Sequence, residues 1–440
     1  MSFAQYDLHP KLLAGIRDLG FTDPTPVQHE AIPPAIAGKD VLACAMTGSG
    51  KTAAFALPIL QRLLDRPRGT TRALVLSPTR ELAAQIHEHF GELAKHTPVR
   101  SAAIFGGVGK SPQERAFRRG VDVIVATPGR LLDHLEQPYA TLDGVEVLVL
   151  DEADRMLDMG FLPDIRRVLK QLPRQRQTLF FSATMPAPIV KLGREMLRDP
   201  VAIDLQRKSV PPSAIEQAVY PVPAEAKARL FVELVRRGEV GSAIVFCRTK
   251  HRANRLAEVL EKEGISSTRI HGNRSQNARS EALGGFKAGR YQVLVATDIA
   301  ARGIDVEALE HVVNFDVPAA PDDYIHRVGR TGRAEATGDA LTLVAPGEQG
   351  ELAAIERAVG KRLPRIQLPD FDYAARPAEP FEIPLAERIA EIRRRKAEDR
   401  ERARRKAAAK AERVGATPER GRGAGASGRS GGHGRRRGNR

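Results

Sequence analysis

The sequence predicts an α/β protein made of two tandem parallel-sheet domains followed by a basic tail. Three observations predict it. Apolar runs of strand length alternate with helical patterns through most of the 440 residues. The alternation breaks at residues 205–214, LQRKSVPPSA, and then resumes. After Pro364 it stops, and the composition turns to proline, charge, glycine and arginine.

The first series of apolar runs lies at 41–45, 73–76, 121–125, 145–150 and 178–181. These runs are continuous rather than alternating, which marks strands covered on both faces, and the intervening helices make βαβ units. The adjacent prolines Pro211 and Pro212 mark a linker. The second series lies at 243–247, 267–270, 293–296, 311–315 and 340–344. The expected organisation is a domain over 1–206, a linker over 207–213, a second domain over 214–365 and a low-complexity tail over 366–440. The closing Gly/Arg/Ser stretch lacks the apolar content to bury a core and is expected to be disordered.

Composition narrows the function. With 42% hydrophobic and 28% charged residues the chain has material for sizeable cores. Its two cysteines, Cys44 and Cys247, sit in separate apolar runs, which argues against a disulfide framework or zinc site and fits a reducing cytoplasm. No run approaches the roughly 18 apolar residues of a membrane helix, and the first residues lack a signal-peptide pattern. The net charge is +15. Residues 391–440 hold 15 Arg and 3 Lys against 5 Glu and 1 Asp, so twelve of those charges belong to the tail. Such a tail attracts a polyanion; the plainer reading is a solvated solubility tail.

The segment AMTGSGKT comprises Ala45, Met46, Thr47, Gly48, Ser49, Gly50, Lys51 and Thr52, between a strand and a helical pattern. That context suits a phosphate-binding loop. Gly48 and Gly50 let the backbone curl its N–H groups inward. Lys51 brings a cation to the β/γ phosphates, and the Thr52 hydroxyl can ligate Mg²⁺. The general pattern begins with glycine, where this chain has Ala45. A second Mg²⁺ anchor is needed at the end of a neighbouring strand, and Asp151, directly after the 145–150 run, fits.

At this point the chain resembles the DEAD-box family of ATP-dependent RNA helicases, over an ordered series of motifs from Phe3 to about Val344. GFTDPTPVQ (20–28) looks like its adenine-reading motif, with Phe3 the isolated aromatic upstream. PTRELA (78–83), Gly106–Gly107 and TPGR (127–130) look like RNA-backbone elements. DEAD is 151–154 and SAT is 182–184. IVFCRT (244–249), HG (271–272) with Gln276 and Arg279, ATDIAARGID (296–305) and HRVGRTGR (326–333) complete the set. Ala45 is the family's usual form. The basic tail and compact core suggest a bacterial RhlE-like subgroup.

The resemblance implies two RecA-like domains with ATP and Mg²⁺ between them. Gln28 would pair its amide with the adenine edge. Phe21 is a candidate to stack on the base, and Phe3 is either part of that motif or a staple on the following helix. Asp151 would hold the metal, and Glu152 would activate water. Asp154, Ser182 and Thr184 would relay to the second domain, and His326 would face them. Gly303 and Asp305 are implied nucleotide contacts. Arg330 and Arg333 are three apart, so they share a face if the segment is helical, and either could act as an arginine finger.

For RNA, Gly106, Gly107, Gly129 and Gly272 would allow close backbone approach, beside Pro78 and Pro128. Thr79, Arg80, Thr127, Arg130, Arg279 and Thr297 would supply hydroxyls or cations. These contacts position a backbone without reading bases. The expected function is ATP-dependent local unwinding or remodelling of RNA by a cytoplasmic monomer, with ribosomal and mRNA-decay ribonucleoproteins both open as targets. The competing readings are a DNA translocase, a non-catalytic RNA clamp and a tail-driven RNA chaperone.

Overall fold

A computed structural model describes residues 2–46, 48–64, 69–205, 215–301, 309–332 and 338–375, together with Phe381, Arg394, Glu398 and Glu401. Its first sheet contains β1 (Val41–Cys44), β2 (Ala73–Leu76), β3 (Ser101–Ile104), β4 (Val123–Ala126), β5 (Val147–Leu150), β6 (Gln177–Ser182) and β7 (Val201–Asp204). Its second contains β8 (Ile215–Pro221), β9 (Ala243–Phe246), β10 (Ser267–Ile270), β11 (Val293–Ala296), β12 (His311–Asn314) and β13 (Gly338–Val344). The strand orders are β3-β4-β2-β5-β6-β1-β7 and β10-β11-β9-β12-β13-β8, and every pairing is parallel.

The inner strands read as oily runs because both faces are covered. In the first sheet Val75, Val125 and Val149 enter one core with Phe55, Phe90 and Phe181. Their neighbours Leu74, Ile124 and Leu148 enter another, with Phe180 and Met156. The strands absent from the sequence reading are β3, β7 and β8, which lie at sheet edges. Exposure dilutes the apolar signal of β3 and β7, the first of which is half-buried along most of its length.

The second domain does not stop at residue 365. Residues 364–366 run along the β8 edge, where Val219 N–H donates to the Pro364 carbonyl and Ile366 N–H donates to the Val219 carbonyl, each at 2.8 Å. Leu368 and Phe381 then enter the core, flanked by Phe371 and Tyr373. Arg252 lies over the Phe381 ring, 5.1 Å from its centroid. The body of the protein therefore runs to Phe381, with 382–440 a separate unit. The prolines around residue 370 hid this strap, because it has neither a helical nor a strand period.

The linker and almost all of the basic tail lie outside the described residues; in the tail, Arg394 and Glu398 form a 3.6 Å ion pair. No helix among the described residues is long and apolar enough to cross a membrane.

Sheet order sorts the functional loops. At the carboxyl edge of the first sheet β5, β6 and β1 adjoin, with Cys44 level with Ser182 and Leu150 with Phe180. The phosphate loop, the acids and the SAT turn therefore emerge together. β3, β4 and β2 form the other half of the edge and deliver the loops at 105–109, 127–130 and 78–80.

Candidate active site and interdomain cleft

The phosphate loop is braced by the motif expected to read adenine. Gly48 and Gly50 have φ of 81° and 90°. A Cβ on Gly50 would lie 2.5 Å from Gln28 Nε2 and 2.9 Å from Thr25 Oγ1, so only glycine fits there. Gln28 is 4% exposed. Its Oε1 accepts from Thr25 N at 2.9 Å, capping helix Pro26–Ile36, and its Nε2 donates to the Gly50 carbonyl at 3.0 Å. Each end of the amide thus already serves the protein, leaving one N–H and one lone pair for a base. Thr25 Oγ1 donates to the Ser49 carbonyl at 2.7 Å, and Ser49 Oγ to that of Met46 at 2.8 Å. Lys51 opens helix Lys51–Leu64, which also carries Thr52, and its buried Nζ donates to the Ala45 carbonyl at 2.9 Å. Thr47 lies outside the described residues.

Phe3 belongs to the core with Leu12 and packs edge-on against Tyr6. Phe21 is half-buried against the same core, its ring 5.9 Å from that of His89.

The acids after β5 occupy three different environments. Asp151 is buried and its Oδ1 has no hydrogen-bond partner. Burial pushes its pKa up to about 6, against the pull of Lys51. An orphaned buried carboxylate oxygen near an ammonium fits a cation site. Among the described residues no cluster of three His, Cys, Asp or Glu could hold a metal alone. A cation here would need phosphate and water ligands as well, as Mg²⁺ commonly uses.

Glu152 has left-handed φ of 54°, which turns its side chain away from the strand line into a buried ion pair with Arg155 Nη1 at 2.8 Å. Burial opposes its charge, but Arg155, Lys51 and Arg330 outweigh burial and hold the carboxyl below its ordinary range. Asp154 Oδ2 accepts from both the backbone N–H and the hydroxyl of Thr184, each at 2.8 Å. Ser182 Oγ accepts from Asp154 N at 3.2 Å and donates to the Thr184 carbonyl at 2.7 Å. Burial disfavours ionised Asp154, yet these bonds with Lys51 keep its pKa low.

The second domain reaches this cluster. Helix Pro321–Val328 carries His326, and Arg330 follows, buried, just beyond its end. His326 feels Arg155, Asp154, Arg330 and Glu152; burial is the main force lowering its pKa, and Arg155 adds to it. A Cβ on Gly329 would lie 3.9 Å from Met46 Cε in the phosphate loop. The cleft is closed.

The helix ends at Val328 and Thr331 bridges to Leu309, so Arg330 lies beyond the helix and not on its face. Gly329 caps the helix, and the Thr331 hydroxyl donates to the Leu309 carbonyl at 2.5 Å, fixing the exit of the chain. Arg333, Gly303 and Asp305 lie outside the described residues. Arg327, which the sequence reading passed over, makes a bidentate contact to Asp298 at 2.6 and 2.7 Å and anchors the helix carrying His326.

The loops expected to meet RNA lie on both domains. Pro78 is buried, and Thr79 caps helix Arg80–Leu93 through Leu82 N at 3.2 Å. A Cβ on Gly107, whose φ is +83°, would stand 2.1 Å from Arg80 Nη1. The close approach that glycine permits here is therefore made by Arg80, with Gly106 beside it. Thr127 precedes helix Pro128–Leu135, and a Cβ on Gly129 would meet nothing within 4 Å. Arg130 has Nε 3.7 Å from Asp133 and a buried Nη1 without a partner.

In the second domain Gly272 is exposed, and Thr297 precedes the short helix Asp298–Ala301. Arg279 reaches across the cleft. It is 9% exposed, with Nε 2.9 Å from Glu81 Oε1 of the first domain. Gln276 Nε2 donates to the same Glu81 oxygen at 3.0 Å. A buried guanidinium needs a carboxylate, and Arg279 finds one in the other domain, so it joins the two.

Comparison with known proteins places this geometry. Family models for the DEAD/DEAH box helicase and the helicase conserved C-terminal domain match residues 25–192 and 226–335. The ATP-dependent RNA helicase CshA of Listeria monocytogenes is 42% identical over 372 residues, 84% of this chain and 71% of that protein. The DEAD-box ATP-dependent RNA helicase CshA of Bacillus subtilis is 40% identical over 374 residues, 85% of this chain and 76% of that protein. S. cerevisiae Dbp5 bound to RNA and ADP BeF3 superimposes with a TM-score of 0.77 at 34% identity, covering 84% of this chain and 96% of that one. Two RecA-like domains closed on a phosphate loop define a nucleotide-driven motor as the class. The chain belongs to the DEAD-box family of ATP-dependent RNA helicases.

Proposed function

We propose that this chain hydrolyses ATP only when its domains close on single-stranded RNA, and that closure bends the strand and separates short duplexes. The observation that carries the reading is the closed cleft: a Cβ on Gly329 of the second domain would lie 3.9 Å from Met46 Cε in the phosphate loop, and the buried Arg330 beside it lies close enough for its charge to favour ionised Glu152. Lys51 and the curled loop hold the phosphates, and Gln28 shares its amide between loop and adenine. The Thr52 hydroxyl and Asp151 Oδ1 would hold Mg²⁺, which when bound neutralises phosphate charge and orients its oxygens. Glu152, held ionised, positions and activates the attacking water. Arg330, with Arg333, stabilises charge on the transferring phosphoryl group. Asp154, Thr184 and His326 report nucleotide state between domains.

RNA follows the loops at 78–80, 106–107 and 127–130, then Gly272 and Thr297. Arg130, with its unpartnered buried nitrogen, supports a phosphate contact there. ATP and RNA each favour the closed state, so each tightens the other's binding. The RhlE-like placement, a monomeric state, a cytoplasmic location and ribosomal or mRNA-decay targets belong to the same proposal; two buried free thiols support a reducing compartment.

The test is ATP hydrolysis and separation of a short RNA duplex by the purified protein. RNA should accelerate hydrolysis, and strand separation should require ATP. Hydrolysis indifferent to RNA, or annealing without ATP, would overturn the proposal.

A further inference from the structure

A chain of buried side-chain hydrogen bonds ties together two of the loops assigned above to RNA. Gln113 lies on helix Lys110–Arg119, which begins just after Gly107. Its Nε2 donates to the Phe105 carbonyl at 3.0 Å and, more weakly, to the Gly109 carbonyl at 3.4 Å. One amide thus holds the loop on both sides of Gly106 and Gly107, while Arg80 lies against the glycines themselves. The other end of the amide, Oε1, faces His134 Nε2 at 3.3 Å. His134 belongs to helix Pro128–Leu135, four residues after Arg130 and on the same face of that helix. Its Nδ1 lies 2.8 Å from the Tyr139 hydroxyl.

The chemistry of these groups gives the chain a direction. Gln113 Oε1 can only accept, so His134 Nε2 carries the proton and Nδ1 accepts from Tyr139 O–H. Flipping the amide would set its oxygen against two carbonyl oxygens. Phe117 packs beside His134 and Tyr139, with ring centroids 5.4 and 6.3 Å away, and Gln113 and His134 are buried. A buried, fully paired polar chain of this kind specifies one geometry, because breaking any link leaves an unpaired group. It sits at the β3–β4–β2 half of the sheet edge, away from the phosphate loop after β1.

We propose that Gln113 and His134 are positioning residues for RNA binding. They fix the Gly106–Gly107 loop relative to Thr127–Arg130, so that both meet the backbone of one strand at once. The inference rests on the assignment of these two loops to RNA. It predicts a loss confined to RNA affinity, which general destabilisation would not produce.

The test titrates single-stranded RNA in an ATP hydrolysis assay. Gln113→Glu keeps the shape and the acceptor toward His134 but removes both donors to the loop. His134→Phe cuts the link to the Arg130 helix, and His134→Gln restores an N–H and a carbonyl. The half-saturating RNA concentration should rise about tenfold in Gln113→Glu and His134→Phe. The rate at saturating RNA and the KM for ATP should stay within about twofold, and His134→Gln should recover most of the RNA affinity. Variants that titrate like an RNA-responsive parent would overturn this inference alone. So would a parallel fall in the saturated rate and ATP affinity, or no recovery by His134→Gln. A parent chain indifferent to RNA would overturn the functional proposal and this inference with it.

Discussion

Arg279 Nε lies 2.9 Å from Glu81 Oε1, although the two residues belong to different domains. Glu81 lies in the first turn of the helix behind the PTR turn, and Gln276 Nε2 donates a hydrogen bond to the same oxygen. Both charges are buried. Opening the cleft would return them to water; closing it requires that they find each other.

Glu81→Gln should therefore act as a loosened latch. Removing the charge of Glu81 from this buried ion pair should weaken RNA binding roughly tenfold or more in the presence of ATP. Linkage requires ATP binding to weaken alongside it when RNA is present. Nucleotide binding without RNA, and the thermal midpoint of each domain, should hardly move. An RNA titration identical to that of the unaltered protein would remove the latch from the mechanism.

Gly107→Ala probes the loop from its outer side. The added methyl group would collide with the Arg80 guanidinium at a backbone angle L-residues avoid. RNA affinity should fall by about tenfold or more while ATP binding alone is retained. Fluorescence anisotropy of a labelled RNA would read this, and unchanged binding would show that Arg80 is not held there for RNA.

His326 makes closure sensitive to acid. Burial, aided by Arg155 and Arg330 against Asp154 and Glu152, lowers its pKa below the ordinary 6.5. A base with a lowered pKa in the closed state stabilises that state fully above 6.5, and the contribution is lost as pH falls through the lowered value. RNA-stimulated turnover should decline as pH falls below 6.5, less steeply in His326→Gln. Burial also pushes the Asp151 pKa up, to about 6, so the informative quantity is the difference between the two profiles. Superimposed profiles would exclude His326 as a contributor.

Removing residues 391–440 should weaken RNA affinity and flatten its dependence on salt, because those residues carry twelve of the fifteen net charges. ATP hydrolysis at saturating RNA should persist. An unchanged salt slope would show that the tail is no RNA arm.

The sheet interiors were legible in the sequence because burial on both faces leaves unbroken Val/Leu/Ile runs, as at Val147–Leu150. The edges were not: β3 is SAAI and half-buried, and the strap to Phe381 has no period to detect. Loops such as AMTGSGKT were legible because phosphate binding constrains neighbouring residues. Glu81 and Gln113 were not, since their partners lie on other elements, 195 residues away for Gln276 and 21 for His134. Arg155 sits three residues from Glu152 and still gave no signal, because an acid and a base at that spacing are usually a surface pair. Arg330 and Arg333 would share a face only on a helix running through Arg330, and the helix ends at Val328 with Gly329 as its cap.

In the mechanism we propose, the hydrolytic site is divided between the domains, with Arg330 completing what Glu152 begins. Its most direct test is the rate of ATP hydrolysis by Arg330→Ala at saturating ATP and RNA, with nucleotide affinity measured separately in the absence of RNA. The account predicts a fall of about 10³-fold or more with that affinity unchanged; hydrolysis within a few-fold of the unaltered protein would contradict it.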